Sequence, residues 1–135
     1  MAGRIQSQDI VTRNAGAAIA KRRILKFGSA DELVIQAAAS TDLLIGVSDS
    51  AGDIPAPSGS EYYRADVIRH GDAYVDCGGT VTRGQYVTAD SNGKAVVAAP
   101  AAGVNAYYVG QATQSGVSGG VISIFVRPGV IQGAA

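Results

Sequence analysis

Short extended segments separated by tight turns dominate the middle of the chain. From Val75 to Pro100, β-branched and aromatic residues are interrupted by Gly78-Gly79, by Gly84 and by the hairpin signal Ser91-Asn92-Gly93. Turn signals recur along the chain, and no apolar period of about 3.6 residues extends over a long stretch. The pattern predicts an all-β fold, either a single small β-barrel or a jelly-roll-like sandwich of short antiparallel strands, with extended terminal arms.

The segment from Ala15 to Phe27 is compatible with two structures. Its Ala, Lys, Arg and Leu residues favour helix. In contrast, Ile19, Ile24 and Phe27 lead into a Gly28-Ser29 turn as strand residues would. We interpret the segment as a strand, because a strand agrees with the pattern of the rest of the chain.

A weak duplication is the most informative internal feature. Three apolar segments of the first half have counterparts, in the same order, in the second half. The pairs are Leu33-Val34-Ile35 with Ala95-Val96-Val97, Leu43-Leu44-Ile45-Gly46 with Tyr107-Tyr108-Val109-Gly110, and residues 65–71 with residues 123–129. The duplication predicts two similar β units that pack together to close one core.

One loop distinguishes the two units. The segment from Asp53 to Tyr63 carries two prolines and small polar residues, and the second unit has no equivalent insertion. We predict a surface loop, which is either a passive connection or a loop that reaches a neighbour with Tyr62 or Tyr63.

The two ends of the chain are predicted to lie outside the folded domain. Residues 1–14 show no sustained period, and the closing RPGVIQGAA is apolar but short and rich in glycine. We therefore divide the chain into an N-terminal arm (residues 1–14), a β domain (15–127) and a C-terminal tail (128–135). The arms are expected to become ordered on neighbouring subunits, and Val130 and Ile131 are the candidate contacts of the tail.

Charge is distributed unevenly in a chain that is neutral overall. Eleven basic residues balance eleven acidic ones, so net charge gives no reason to expect nucleic acid or a membrane as a partner. Residues 1–30 nevertheless carry six basic residues against Asp9 alone, a net charge of +5, which leaves −5 for the other 105 residues. The basic residues either dock an acidic partner or form a solvated strand edge that discourages aggregation. They are Arg4, Arg13, Lys21, Arg22, Arg23 and Lys26.

Residues that could carry catalysis or bind a metal are sparse. His70, the single histidine, follows a predicted strand and is interpreted as a structural or exposed residue. Cys77, the single cysteine, excludes an internal disulfide and is interpreted as a small apolar residue that is buried or half-buried. No nucleophile elbow or phosphate-loop motif is present. We therefore expect no enzymatic activity, no cofactor and no metal.

Several stretches resemble the capsid decoration, or cement, proteins of tailed double-stranded DNA phages. The segment Ala39 to Gly52, which contains STDLLIGVSDSAG, is similar to a family segment with Thr-Asp and Ile-Gly-Val, and Gly78 to Val96 is similar to a family stretch ending in Gly-Lys-Ala-Val. Gly110 to Gly129 resembles the closing strand and Pro-Gly of the family. The chain departs from the family at the Pro-rich Ile54 to Gly59 and at the basic run Lys21 to Lys26.

This resemblance implies a structural virion protein that binds the outer surface of the capsid. Such a protein cements neighbouring major capsid protein subunits and stabilises the shell, and it is made in the host cytoplasm. The implied partners are the major capsid protein and further copies of the chain itself, as a homodimer in preference to a trimer. Two other classes stay open, a small β-barrel module that binds carbohydrate or peptide and an enzyme subunit. A row of exposed aromatic side chains would favour the carbohydrate module.

Overall fold

Nine strands and no helix make up the described part of the chain. The computed structural model describes residues 8–16, 19–48 and 63–133, without the side chains of residues 63 and 64. The strands are β1 (Asp9–Ala15), β2 (Ile24–Phe27), β3 (Leu33–Gln36), β4 (Leu44–Ser48), β5 (Tyr63–Asp76), β6 (Tyr86–Ala89), β7 (Ala95–Val97), β8 (Asn105–Ala112) and β9 (Val121–Gln132). The all-β prediction is confirmed, and so is the hairpin at Ser91-Asn92-Gly93, which joins β6 to β7.

The first five strands form a closed barrel. Their order is β1-β3-β2-β4-β5, and β1 closes the circle because it also pairs antiparallel with β5. The closing strand is parallel to β3, with Ala15 opposite Val34. Closure leaves no free sheet edge among the five described strands of this half.

The second half repeats this arrangement, and β5 belongs to both halves. Its later part, from Gly71 to Asp76, pairs antiparallel with β9, and the order continues β9-β8-β6-β7. The outer edge of β7 meets the end of β5 at one parallel bridge, between Cys77 and Ala95. We call the two halves the first barrel and the second barrel.

Equivalent residues follow from the registers of the two barrels. Each barrel contains a ladder across three adjacent strands: Ile24, Val47 and Ile68 in the first barrel, and Tyr86, Gln111 and Phe125 in the second. Each has a glycine one position earlier in the middle strand, Gly46 or Gly110, where an added Cβ would collide with a carbonyl oxygen of the adjacent strand. The predicted duplication is therefore confirmed strand by strand, and it also includes β2 with β6 and β1 with the second half of β5. In two of the three predicted pairs the registers differ from the sequence match by one residue, because Val34 is equivalent to Ala95 and Ile68 to Phe125.

The two units enclose two cores, whereas one shared core had been expected. A small cluster fills the first barrel and includes Ala15, Leu25 and Val67. A larger cluster fills the second barrel and continues between the barrels, where it includes Val47. Two cores form because each barrel has an inward face of its own, and the outward ladder of the first barrel is buried by the second.

The terminal segments take more part in the fold than the sequence indicated. Residues 9–14, assigned to an arm, lie in β1, and residues 128–132, assigned to a tail, continue β9 opposite β8. Expecting no element there was wrong, because a closing strand is held by backbone hydrogen bonds to distant strands and needs no apolar alternation of its own. Of the described residues between Ala15 and Phe27, Ala15 ends β1 and Ile24–Phe27 form β2, after a turn at Lys21-Arg22.

Candidate interaction surfaces

The first barrel has an open mouth at one end. All five strands contribute to a cavity of about 450 Å³ there, with Val34, Leu44 and Ile45 as its apolar floor. Its rim carries Phe27, which is 56% exposed, and two guanidinium groups. Cavities in barrel mouths with apolar walls and a few polar groups are frequent binding sites. We call this cavity the barrel mouth.

The two arginines at the barrel mouth make ion pairs that are open to solvent. Arg69 donates two hydrogen bonds to Oδ2 of Asp9, at 3.0 and 2.6 Å. Arg13 lies 3.8 Å from Glu32, whose side chain is largely exposed. Exposed pairs of this kind contribute about 0–1 kcal/mol, so both guanidinium groups can exchange partners at little cost.

A second apolar groove runs beside the barrel mouth, where the two barrels meet. It has a volume of about 300 Å³ and is lined by Leu43, Tyr107 and Val130, with Phe27, Leu44 and Pro128 shared between both sites. Leu43 and Val130 are 56% and 54% exposed. Large exposed apolar side chains that lie together mark interaction sites more often than single ones do. We call this site the junction groove.

The basic run near the N terminus is largely engaged within the chain. Nε of Arg22 donates to Oδ1 of Asp76 at 2.8 Å, and Arg23 donates to the other carboxylate oxygen. Lys26 lies 3.3 Å from a carboxylate oxygen of Asp42. Arg22 and Arg23 therefore fasten the turn before β2 to the part of β5 in the second barrel. Lys21 is exposed in that turn.

Two buried or half-buried groups at this connection have shifted pKa values. Partial burial alone would raise the pKa of Asp76, but the hydrogen bonds and charges of Arg22 and Arg23 outweigh burial and lower the pKa. Burial, together with the nearby Asp76 charge, raises the pKa of the Cys77 thiol. Cys77 is fully buried, which confirms its interpretation as a small apolar residue.

An aromatic face lies on the outside of the second barrel. The rings of Tyr86 and Tyr108 contact each other at a tilt of 44° with centroids 4.5 Å apart, and His70 and Phe125 form a T-shaped pair at 5.1 Å. Arg127 lies 6.0 Å from the Phe125 ring centroid. Sequence analysis missed this face because its members come from four strands, although the outward positions of β6, β8 and β9 are the signal that would have found it.

The other predicted contact residues have different locations. Arg4 and Tyr62 lie outside the described residues. Tyr63 begins β5, opposite Ala15. Val130 and Ile131 lie in β9 opposite Tyr107 and Ala106, and Val130 contributes to the junction groove. Their role as partner contacts stays a prediction, as does that of the basic residues.

Two features are absent from the part of the chain that the structure describes, a metal-binding cluster and a membrane-spanning helix. Within residues 8–16, 19–48 and 63–133, no three His, Cys, Asp or Glu side chains are grouped so that they could hold a metal ion. Over the same ranges, no helix has the length and apolar character needed to cross a membrane.

Comparison with known proteins shows a likeness in structure. No protein-family model and no curated protein matches the sequence. The fold is similar to that in "the crystal structure of head fiber gp8.5 N base in bacteriophage phi29", with a TM-score of 0.59 and 17% sequence identity. The superposition covers 90% of this chain and 95% of that chain. At this identity the likeness shows a shared fold.

Proposed function

We propose that this protein is a structural component of a phage virion that binds the outer surface of the capsid and cements neighbouring major capsid protein subunits. The observation that carries the proposal is the fold shared with a phage head fiber base, which extends over nearly the whole of both chains. The resemblance of residues 39–52 and 78–96 to capsid decoration proteins supports the same class independently. The fold likeness favours a virion role, and attachment to the major capsid protein is the further step that we infer.

The junction groove is the surface that we assign to the capsid. Leu43 and Val130 are exposed there beside Pro128 and Tyr107, and burying exposed apolar area is the main driving force for stable association. Lys21, exposed in the turn before β2, adds a charge whose contribution to binding is expected to weaken as salt is raised. Binding of this kind depends on buried area and needs no reactive group.

Co-sedimentation with empty shells of the matching major capsid protein tests the proposal. The parent is expected to sediment with the shells, and a Leu43→Ser/Val130→Ser variant is expected to bind at least tenfold more weakly, since each lost anchor is worth about 1–2 kcal/mol. Val117→Ser/Val121→Ser is the matched control, because these two residues are 62% and 47% exposed at the far end of the second barrel. Failure of the parent to bind shells would overturn the proposal. An equal loss of shell binding in both variants would show that the junction groove is not the surface that contacts the capsid.

The alternative is a module that binds carbohydrate or peptide, and the aromatic face is the observation that favours it. Tyr86 and Tyr108 present half-exposed rings on which a sugar could stack. Retention on immobilised cell-wall polysaccharide, lost in a Tyr86→Ser variant, would support the module. No retention of the parent on polysaccharide or peptide arrays would exclude it.

A further inference from the structure

The equivalent ladders of the two barrels differ in burial. Ile24, Val47 and Ile68 are nearly fully buried, with exposed fractions of 0%, 0% and 3%. Their equivalents, Tyr86, Gln111 and Phe125, are half-exposed on the aromatic face. The same outward surface is thus covered in the first barrel and uncovered in the second.

The second barrel covers the ladder of the first barrel with its own mouth. The ladder residues belong to one buried cluster with Val75 and Val126 of the second barrel. Backbone hydrogen bonds cross at both sides of this contact, from Ile24 N–H to Gly93 O and from Tyr107 N–H to Ser40 O, each at 2.8 Å. Residue Gly93 precedes β7 and Tyr107 lies near the start of β8, at the end of the second barrel that corresponds to the open end of the first. Within one chain, the ladder of the first barrel and the mouth of the second barrel therefore cover each other.

Among residues 8–16, 19–48 and 63–133, one ladder and one mouth are left without this contact. The uncovered ladder is the aromatic face of the second barrel, and the uncovered mouth is the barrel mouth of the first. They cannot meet each other within the chain, because the two barrels are already joined through the other ladder and the other mouth. A second copy of the chain offers both missing partners.

The residues on the two uncovered surfaces differ from their covered equivalents in complementary ways. Two residues before the parallel bridge of each barrel, the mouth has Val75 in the second barrel and Arg13 in the first. In the last strand of each barrel, the second barrel has Val126 at the position where the first barrel has Arg69. The ladders differ as well, since Ile24 and Ile68 of the first barrel correspond to Tyr86 and Phe125 of the second, with Gln111 at the middle position. The covered ladder and the covered mouth thus meet through aliphatic side chains. Their uncovered equivalents carry aromatic rings on the aromatic face and arginines at the barrel mouth.

We propose that copies of this protein associate head to tail, with the aromatic face of one copy seated on the barrel mouth of the next. Arg13 and Arg69 lie over the rings of Tyr86, Tyr108 or Phe125 of the neighbour in a cation–π arrangement, which the weakly hydrated guanidinium group favours. Aromatic and arginine side chains are the residues most enriched in the energetic centres of interfaces. The contact uses two different surfaces, so it is heterologous and produces a closed ring or an open chain of copies.

This inference goes beyond the proposed function and does not depend on it, because it requires no capsid. Its test is the oligomeric state of the purified chain, measured by sedimentation velocity over a concentration series. Tyr86→Lys places a cation on the aromatic face opposite the two arginines, and Phe27→Lys adds a cation to the barrel mouth. Each is expected to weaken self-association at least tenfold. Val117→Lys, at a residue that is 62% exposed away from both surfaces, is the control and should associate like the parent.

Mixing the two variants distinguishes head-to-tail association from an isologous contact, in which the same surface of both copies would meet. Each variant keeps one intact surface, so an equimolar mixture is expected to form a 1:1 heterodimer that grows no further. Circular dichroism and thermal unfolding of each variant establish that the fold is retained. A parent that stays monomeric throughout the series, variants that associate like the parent, or a mixture without heterodimer would each overturn the proposal.

Discussion

The first and second barrels share a strand order but use equivalent positions differently. Val47, in the first barrel, is fully buried between the barrels, whereas its equivalent Gln111 lies on the open aromatic face and donates to the carbonyl of Gly84 at 2.9 Å. The backbone template is the same, so the side chains at a few outward positions decide whether a barrel wall becomes core or surface. Duplication thus supplies two copies of each outward surface. Differences in the side chains leave one copy buried between the barrels and the other exposed to solvent.

The two barrels place different residue types in the left-handed backbone region at two equivalent turns. Two residues before β2, Arg22 has a φ of 58°, and two residues before β6 the equivalent Gly84 has a φ of 94°. Two residues before Val34, Glu32 has a φ of 59°, and the equivalent Gly93 has a φ of 73°. Non-glycine residues in the left-handed region cost about 1 kcal/mol or more. The first barrel accepts this cost at Arg22, where the side chain is held by Asp76.

The largest effect is expected from exchanging side chains between the two ladders. Val47→Gln should lower the free energy of unfolding by about 3 kcal/mol, because it buries an amide between the barrels and removes apolar contacts. Gln111→Val, the reverse change at the equivalent exposed position, should alter it by less than about 0.5 kcal/mol. Urea unfolding of both variants at low protein concentration measures the difference. Equal losses would mean that the two ladders have the same environment.

Removing the carboxylate that joins the barrels is expected to have the next largest effect. Asp76→Asn should destabilise the chain by about 2 kcal/mol, because Arg22 and Arg23 would lose their charged acceptor in a half-buried site. Asp9→Asn is the control, since the exposed pair with Arg69 contributes about 0–1 kcal/mol. An Asp76→Asn loss no larger than that of the control would show that the barrels hold together without this connection.

The same carboxylate predicts a pH dependence. The pKa of Asp76 is lower in the folded chain than its ordinary value of 3.8, so its contribution is complete above pH 3.8 and is lost as the pH falls through the folded value. The stability difference between the parent and Asp76→Asn should therefore shrink below pH 3.8. A difference that stayed constant down to pH 2 would contradict this assignment.

A smaller, stabilising effect is expected in the second barrel. The hydroxyl of Thr88 is buried and has no hydrogen-bond partner among the described residues, whereas the equivalent Lys26 of the first barrel pairs with Asp42. Thr88→Val should raise the free energy of unfolding by about 1 kcal/mol, because it removes an unsatisfied polar atom at nearly constant volume. Thr88→Ser retains the hydroxyl and should not stabilise. Thermal unfolding distinguishes the two variants.

The smallest effect concerns the left-handed turns. Glu32→Gly should stabilise the first barrel by about 0.5 kcal/mol, because relief of backbone strain slightly exceeds the entropy that glycine adds to the unfolded chain. Gly84→Ala, at a site with open space around it, should destabilise the second barrel by about 1 kcal/mol through backbone strain alone. If both changes shifted the unfolding midpoint in the same direction, backbone strain at positive φ would not be the cause of the stability changes.

Sequence alone determined the features that depend on neighbouring residues. Turn residues and β-branched runs were sufficient for the all-β class, for the hairpin at Ser91-Asn92-Gly93 and for three matched pairs of strands. These signals are local, since a turn or a strand is specified within a few residues. The barrel mouth, the junction groove and the aromatic face left no such signal, because each is assembled from strands that are distant in the chain.

Tertiary structure decided which equivalent surfaces are buried and where the charges are engaged. Arg22 and Asp76 are 54 positions apart, so a basic run that was compatible with a docking patch or with a solvated strand edge could not disclose its acceptor within the chain. The closing role of β1 was hidden for the same reason, because a strand held by β3 and β5 needs no apolar alternation of its own. Pairing between distant strands is set by closure and packing of the whole barrel, and these have no period in the sequence.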